Sequence, residues 1–229
     1  MKTLYNKNGL VFWSEKEIQL REMMVSWFVS NISSKLRELN KAFEVIRVEA
    51  PMLTPREYIN PNYTEKDIFV FEDLALRPET TMGSYEYAKH LLTSHTGVRM
   101  PLCVWQLGKS YRREQDQPLT RMRLKEFYQL EFQCIYSHTT KNDYTEPLIQ
   151  TVQKLISDFV VNRRFNDGCV VVESDRLPAY AEWTQDVVHP ENEMELCSMS
   201  LRKDFPDAKV FEIAIGIDRC VACYFDNEI

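Results

Sequence analysis

Apolar residues recur at helical spacing in separate stretches of the chain. Leu20, Met24, Trp27, Phe28, Ile32, Leu36 and Leu39 form the first stripe, directly after Ser14-Glu-Lys-Glu17. That tetrapeptide is a capping box, in which serine and glutamate each satisfy a backbone donor of the first turn, so a helix of about 25 residues is predicted. Leu148, Val152, Leu155, Ile156, Phe159 and Val160 form another stripe, closed by Asn166-Asp167-Gly168. A further helix follows Gly83 and runs to about Leu92. The remaining apolar runs are shorter. Phe43–Val48 reads as a strand that stops in Ala50-Pro51-Met52-Leu53-Thr54-Pro55, and Cys169–Glu173 as a short buried strand. Val210 to Gly216 reads as a strand that enters a helix.

The longest strand-like pair is Leu102–Leu107, extending toward Glu114, and Glu126–Tyr136. They flank a polar segment, Gln115 to Arg123, that holds Pro118 and no periodicity. An antiparallel hairpin with a mobile charged loop is expected. Residues two apart on a strand share a face, so Phe127, Gln129 and Glu131 point one way, as do Arg112 and Glu114 on the other strand. A face holding an arginine, two carboxylates, an amide and one ring is costly in a core unless a charged ligand fills it. A guanidinium grips a phosphate or carboxylate with paired hydrogen bonds, a ring stacks on a base, and a carboxylate holds an ammonium or exocyclic amine. These are the needs of ATP and an amino acid bound side by side.

The chain has 229 residues, 44% of them hydrophobic, which supports a sizeable core and a single large domain over 1–229. A net charge of −6 argues against a protein that coats nucleic acid over its whole surface. Lys109, Arg112, Arg113, Arg121, Arg123 and Lys125 still form a local basic patch. The start lacks the apolar run of a signal peptide and no stretch approaches the length of a membrane span, so a cytoplasmic protein without membrane association is expected. Six scattered cysteines read as reduced thiols. Cys220-x-x-Cys223 is the one close pair, and with no second pair it reads as two small buried residues on a helix.

The pattern Arg112-x-Glu114, then a loop, then Arg123-x-x-x-Phe127-x-x-x-Glu131 resembles motif 2 of class II aminoacyl-tRNA synthetases. The resemblance extends along the chain. The first helix and its proline-ended strand, about 14–55, are similar to motif 1, which these enzymes use for dimer packing. Motif 2 spans about 103–136. Arg77-Pro78-Glu79-Thr80 resembles the RPET segment of glycyl-tRNA synthetases, and Glu195-x-x-Ser198 the magnesium-binding pair of several class II enzymes. Ala179 to Asp186 is similar to a glycyl-type segment. Val210 to Phe225 resembles motif 3 at about 210–225, where Gly216 permits close approach of a ligand and Arg219 lies at a helix start that favours phosphate. Glu212 matches the glutamate of the glycyl-type EPSFGI run, with Ala214 in place of its serine, which leaves the choice of amino acid open.

The resemblance implies an α+β fold: a mostly antiparallel class II sheet flanked by helices, here without an anticodon-binding domain. It implies activation of an amino acid with ATP and magnesium, with Arg112 and Arg219 as catalytic groups. Arg112 would hold the α-phosphate and the amino-acid carboxylate, Glu114 the adenine amino group, Arg123 and Arg219 the γ-phosphate, and Phe127 would stack on adenine. Glu195 and Ser198 would hold magnesium, a hard ion that needs few protein oxygens beside phosphates and water. Glu79 would take the α-ammonium group, with Gln129, Glu131 and Glu212 completing the amino-acid site. The substrate expected is a small amino acid such as glycine, alanine or serine, the acceptor a tRNA and the assembly a homodimer. Transfer to a carrier protein, another nucleic acid or a small molecule is a second reading. A third is a non-catalytic relative, like the accessory subunit of a mitochondrial DNA polymerase, but such relatives usually lose the ATP-contacting arginines that this chain keeps. Threonyl-type enzymes carry a zinc-ligand cysteine where this chain has Pro78-Glu79-Thr80.

Overall fold

The computed structural model describes residues 5–7, 9–94, 97–113, 122–140, 143–160, 168–175 and 177–226. The N-terminal helix α1 runs over Glu15–Leu39, and Glu17 Oε2 accepts the Ser14 backbone N–H at 2.6 Å, so the capping box forms as expected. Its buried stripe is Leu20, Met24, Phe28, Ile32 and Leu36, while Trp27 stays 41% exposed. Trp27 lies at the rim of the stripe, where its ring meets Phe159 edge-on at 5.9 Å.

A short hairpin, β1 (Tyr5–Lys7) and β2 (Leu10–Phe12), precedes α1. After it come β3 (Glu44–Arg47), β4 (Leu53–Pro55), β5 (Val70–Phe71), β6 (Leu74–Leu76), α2 (Thr81–Thr93), β7 (Leu102–Tyr111) and β8 (Glu126–Ser137). The chain ends with α3 (Thr145–Val160), β9 (Val170–Glu173), β10 (Ala181–Val188), β11 (Glu195–Arg202), β12 (Ala208–Gly216) and α4 (Ile217–Asp226). Seven strands form one sheet in the order β3-β7-β8-β12-β11-β10-β9. Only β3 and β7 run parallel, so the sheet is mostly antiparallel and the fold α+β, as expected.

The two faces of this sheet differ, and the period of two makes them differ. Leu130, Phe132 and Cys134 of β8 and Ile213 and Ile215 of β12 point into the main core under α1, α3 and α4. Cys220 and Cys223 are buried there outside any disulfide, in agreement with the sequence reading. The alternate residues face the side of α2. At one end Val104, Ile135 and Val210 pack against Tyr85, Ala88 and Leu91 of that helix. Toward its N-terminus the face turns polar, with Gln129, Glu131, Glu212 and Ser198 along neighbouring strands. β9 corrects an expectation: Val170 and Val172 are 45% and 38% exposed, because the strand lies at the sheet edge. Only the preceding Cys169 is buried.

A small sheet, β4-β6-β5, delivers the segment that covers the polar end. Arg77, just past β6, is 6% exposed and donates from Nη1 to Ala50 O at 2.7 Å and from Nε to Lys109 O at 2.9 Å. A Cβ on Gly108 would lie 2.3 Å from Arg77 Nη2, so glycine is the residue that lets the arginine cross β7. Gln106 adds bonds to Thr80 O at 2.9 Å and Ser84 Oγ at 2.7 Å. Together they fix Glu79 and the start of α2 over the sheet.

Candidate active site

The polar end is a cleft of about 550 Å³ that reaches from Tyr63 and Glu79 to Glu195 and Arg219. Arg112, Arg123, Phe127, Gln129, Glu131 and Glu212 line it, with Ser198, so the expected site residues that the structure describes converge on one cavity. Glu114 lies outside the described residues, as does the loop through Arg121.

At the inner end three glutamates meet one buried arginine. Glu212 Oε2 accepts from Thr81 Oγ1 at 2.8 Å, Gln133 Nε2 at 2.8 Å and Arg202 Nη1 at 2.9 Å. Arg202, 1% exposed, also pairs with Asp204 at 2.6 Å and lies 3.8 Å from the Tyr180 ring centroid. Burial works against its charge, but Glu212, Tyr85, the bond to Asp204 and Glu79 outweigh it, and its pKa sits above the usual arginine value.

Thr81 Oγ1 is also 3.1 Å from Glu131 Oε2, yet a hydroxyl has one proton to give. Burial and the Glu212 charge push the Glu131 carboxyl up to about 7. A neutral Glu131 resolves the contact, since its proton goes to Thr81 Oγ1 while Thr81 donates over the shorter distance to Glu212. The polar face therefore is satisfied in part by the protein itself, not solely by a ligand as the sequence reading required.

Glu79 differs. It is 7% exposed and accepts from Tyr63 OH at 3.0 Å through Oε2, while Oε1 is buried with no partner among the described residues. Burial raises its pKa, opposed by Arg202 and Arg112 and reinforced by Glu212. A buried carboxylate with an open lone pair calls for a cationic donor. Gln129 Oε1, in the same cleft, is likewise buried and unpartnered among the described residues.

At the outer end Arg112 donates from Nε to Pro78 O at 3.0 Å, with its guanidinium 5.3 Å from the Phe127 ring centroid and 5.4 Å from that of Tyr63. Arg219, in the first turn of α4, donates to Glu195 O at 2.7 Å and lies 3.6 Å from Glu195 Oε1. Ser198 pairs in register with Ala214 on one side and Asp186 on the other. Asp186 is 9% exposed with Oδ1 unpartnered among the described residues. Burial and Glu195 raise its pKa against bonds from Ser174 and Ser198. Among the described residues no group of three or more His, Cys, Asp or Glu side chains could hold a metal ion alone. Glu195, Ser198 and Asp186 can instead share a hard cation brought in by phosphates, and the orphaned Asp186 oxygen fits that role.

Sequence reasoning gave no role to Arg202, Thr81, Gln133, Tyr63 or Asp186. Strand alternation was the available signal for Arg202, because Ser198, Ser200 and Arg202 share one face of β11. The long-range bonds of Thr81 leave no local trace, whereas Gln133 continues the face of Gln129 and Glu131 along β8.

The profile of the tRNA synthetase class II core domain, of the G, H, P, S and T group, matches residues 65–228. The chain belongs to this family. It is 28% identical over 139 residues to a glycine–tRNA ligase of Mycoplasma capricolum subsp. capricolum, a match covering 60% of this chain and 30% of that one. A glycine–tRNA ligase of Macrococcus caseolyticus is 28% identical over 161 residues, 68% of this chain and 33% of the relative. Prolyl-tRNA synthetase of Cryptosporidium parvum, complexed with halofuginone and AMPPNP, superposes with a TM-score of 0.71 at 13% identity, over 96% of this chain and 48% of the enzyme. The same enzyme complexed with L-proline and AMP gives 0.68 at 12% identity, over 97% and 50%. These structures bear out the fold. The chain spans about a third of the curated relatives and half of the solved enzymes. Among the described residues no helix is long and apolar enough to cross a membrane.

Proposed function

We propose that this chain activates a small amino acid with ATP, forming an aminoacyl-adenylate and pyrophosphate. The observation that carries the reading is the polarity of this cleft, with a buried carboxylate whose Oε1 has no partner among the described residues at one end and two arginines with a stacking ring at the other. Glu79 takes the α-ammonium group, with the Gln129 carbonyl oxygen as a second acceptor. Arg112, between Glu79 and Phe127, bonds the substrate carboxylate and the α-phosphate. The base stacks on Phe127, and Arg219 and Arg123 meet the outer phosphates. Glu195, Ser198 and Asp186 would supply the protein oxygens for magnesium, which would neutralise phosphate charge.

In the step itself a carboxylate oxygen bonds to the α-phosphorus while the bond from that phosphorus to the bridging oxygen breaks, and pyrophosphate leaves with the electron pair. No side chain acts as nucleophile, so positioning and charge neutralisation supply the rate. Glu131 and Glu212 shape the floor around the substrate through Thr81 and Arg202. The relatives that are glycine–tRNA ligases favour glycine and a tRNA acceptor. The same reading makes 1–229 a single catalytic domain that pairs through α1 and the strand after it, in the cytoplasm.

The test is amino-acid-dependent ATP–pyrophosphate exchange with each of the twenty amino acids and magnesium. Exchange with one small amino acid is expected. Folded protein that binds ATP yet exchanges with none points to an unusual acid as substrate, and protein that binds no ATP overturns the reading in favour of a non-catalytic partner protein.

A further inference from the structure

Asp218 sits in the first turn of α4, two residues beyond the end of β12 and one before Arg219. The β12–β8 ladder ends with Gly216 opposite Gln129. Successive amides on a strand point to opposite sides, so the next β8 amide aimed toward β12 is that of Tyr128. By then the chain has turned into α4 and no backbone acceptor faces it. Asp218 Oδ2 accepts that N–H instead, at 3.0 Å, and carries the ladder one step past its strand.

The arrangement is costly to keep. Asp218 is 2% exposed, and its Oδ1 is buried without a partner among the described residues. Burial pushes its carboxyl up to about 7, opposed by the Tyr128 N–H, by Arg21 of α1 and by Lys109 of β7, and reinforced by Glu126 of β8. Arg21 and Lys109 are themselves engaged, with their charges 4.2 and 5.4 Å from the Tyr128 ring centroid and Lys109 paired to Glu126 at 3.0 Å. Asp218 and Tyr128 both line the outer cleft, so their bond ties two elements of its wall together. The residues on either side of the bond are the relevant ones, since Tyr128 adjoins Phe127 and Asp218 adjoins Arg219.

We propose that Asp218 is a positioning residue for the nucleotide. Its bond to the Tyr128 amide locks the start of α4 onto β8 and so fixes the separation between the Phe127 ring and the Arg219 guanidinium across the outer cleft. The inference rests on the nucleotide reading given above, and it concerns a group that itself need not touch ATP.

The experiment measures two quantities on each variant: hydrogen exchange at the Tyr128 amide, and the affinity for the fluorescent analogue MANT-ATP with magnesium. In Asp218→Ala the Tyr128 amide exchanges faster and the affinity falls by roughly three- to tenfold, the worth of one hydrogen bond. Amides of β10 and β11 keep their protection. Asp218→Asn, which retains an acceptor oxygen, restores most of both losses. Asp218→Glu keeps charge and acceptors but lengthens the reach, so it weakens MANT-ATP binding in folded protein even where the alanine variant fails to fold. Unchanged affinity in the folded Ala and Glu variants overturns the proposal, as does a loss of protection throughout the sheet that accounts for the weaker binding. Wild-type protein that binds no MANT-ATP overturns the nucleotide reading itself and this inference with it.

Discussion

At the inner end of the cleft Glu212 receives three hydrogen bonds and Arg202 is 1% exposed, whereas the Arg219–Glu195 pair at the outer end leaves 22% and 48% of its side chains open to solvent. The inner charges hold one another and persist without a ligand. The outer ones are held mainly by bonds to backbone carbonyls and by ring faces, Arg112 by Pro78 O and the Phe127 and Tyr63 rings and Arg219 by Glu195 O. One half of the cleft is therefore built before any substrate arrives, and the other, on the function proposed above, is completed by phosphates. Exposed pairs contribute at most about 1 kcal/mol, but removing one partner of a buried pair leaves an uncompensated charge and costs about 3–5 kcal/mol. The comparison thus separates folding energy from binding energy along a single cavity.

The largest effect on stability is expected from Arg202→Met, which strands Glu212 and Asp204 around Tyr180. Urea denaturation should show a loss of about 3–5 kcal/mol, while Arg219→Ala changes stability by less than about 1 kcal/mol. Equal losses in the two variants would mean that the ends of the cleft are not held differently.

Next comes pH. The folded-state pKa of Glu131 is raised to about 7 from its ordinary 4.5, so the native protein keeps a proton that the unfolded chain has already lost. Stability from this group is fully present below about pH 4.5 and is lost as pH rises toward 7, at a slope of up to about 1.4 kcal/mol per unit. Asp218, also raised to about 7, adds a slope of the same sign over a window that opens at its ordinary 3.8. Glu131→Gln keeps a donor for Thr81 Oγ1 in its amide N–H and removes one of these titrations, so denaturant midpoints measured from pH 4.5 to 7.5 should fall less steeply than in the wild type. An unaltered slope would place the Glu131 proton elsewhere.

Much of this was legible in the sequence because it is local. The capping box at Ser14, the stripe of α1 and the alternation Phe127, Gln129, Glu131 follow from periods of 3.6 and 2, which neighbouring residues impose on each other. The edge position of β9 was not legible, since Val170 and Val172 look the same whether a strand lies inside a sheet or at its rim. Arg202 was missed for a related reason. Its partner Glu212 lies on the next strand, Tyr180 ahead of β10 and Tyr85 on α2, and only folding brings them together. Glu131 was found but its raised pKa was not, because that depends on burial and on the charge of Glu212 on the neighbouring strand.

A small change in stability and the largest in chemistry should coincide in Arg112→Ala. Arg112 is half-buried, donates to Pro78 O and lies over the Phe127 and Tyr63 rings, and losing a neutral-acceptor bond of this kind should cost only about 1 kcal/mol of folding stability. If the outer cleft is completed by the reacting phosphates, this guanidinium acts on charge that develops at the α-phosphorus, and its loss should lower kcat for pyrophosphate exchange by roughly a hundredfold or more. KM for ATP should move less, because Phe127, Arg219 and Arg123 still meet the nucleotide. The opposite split, with kcat intact and KM greatly raised, would assign Arg112 to ground-state binding and make the outer end as pre-built as the inner one.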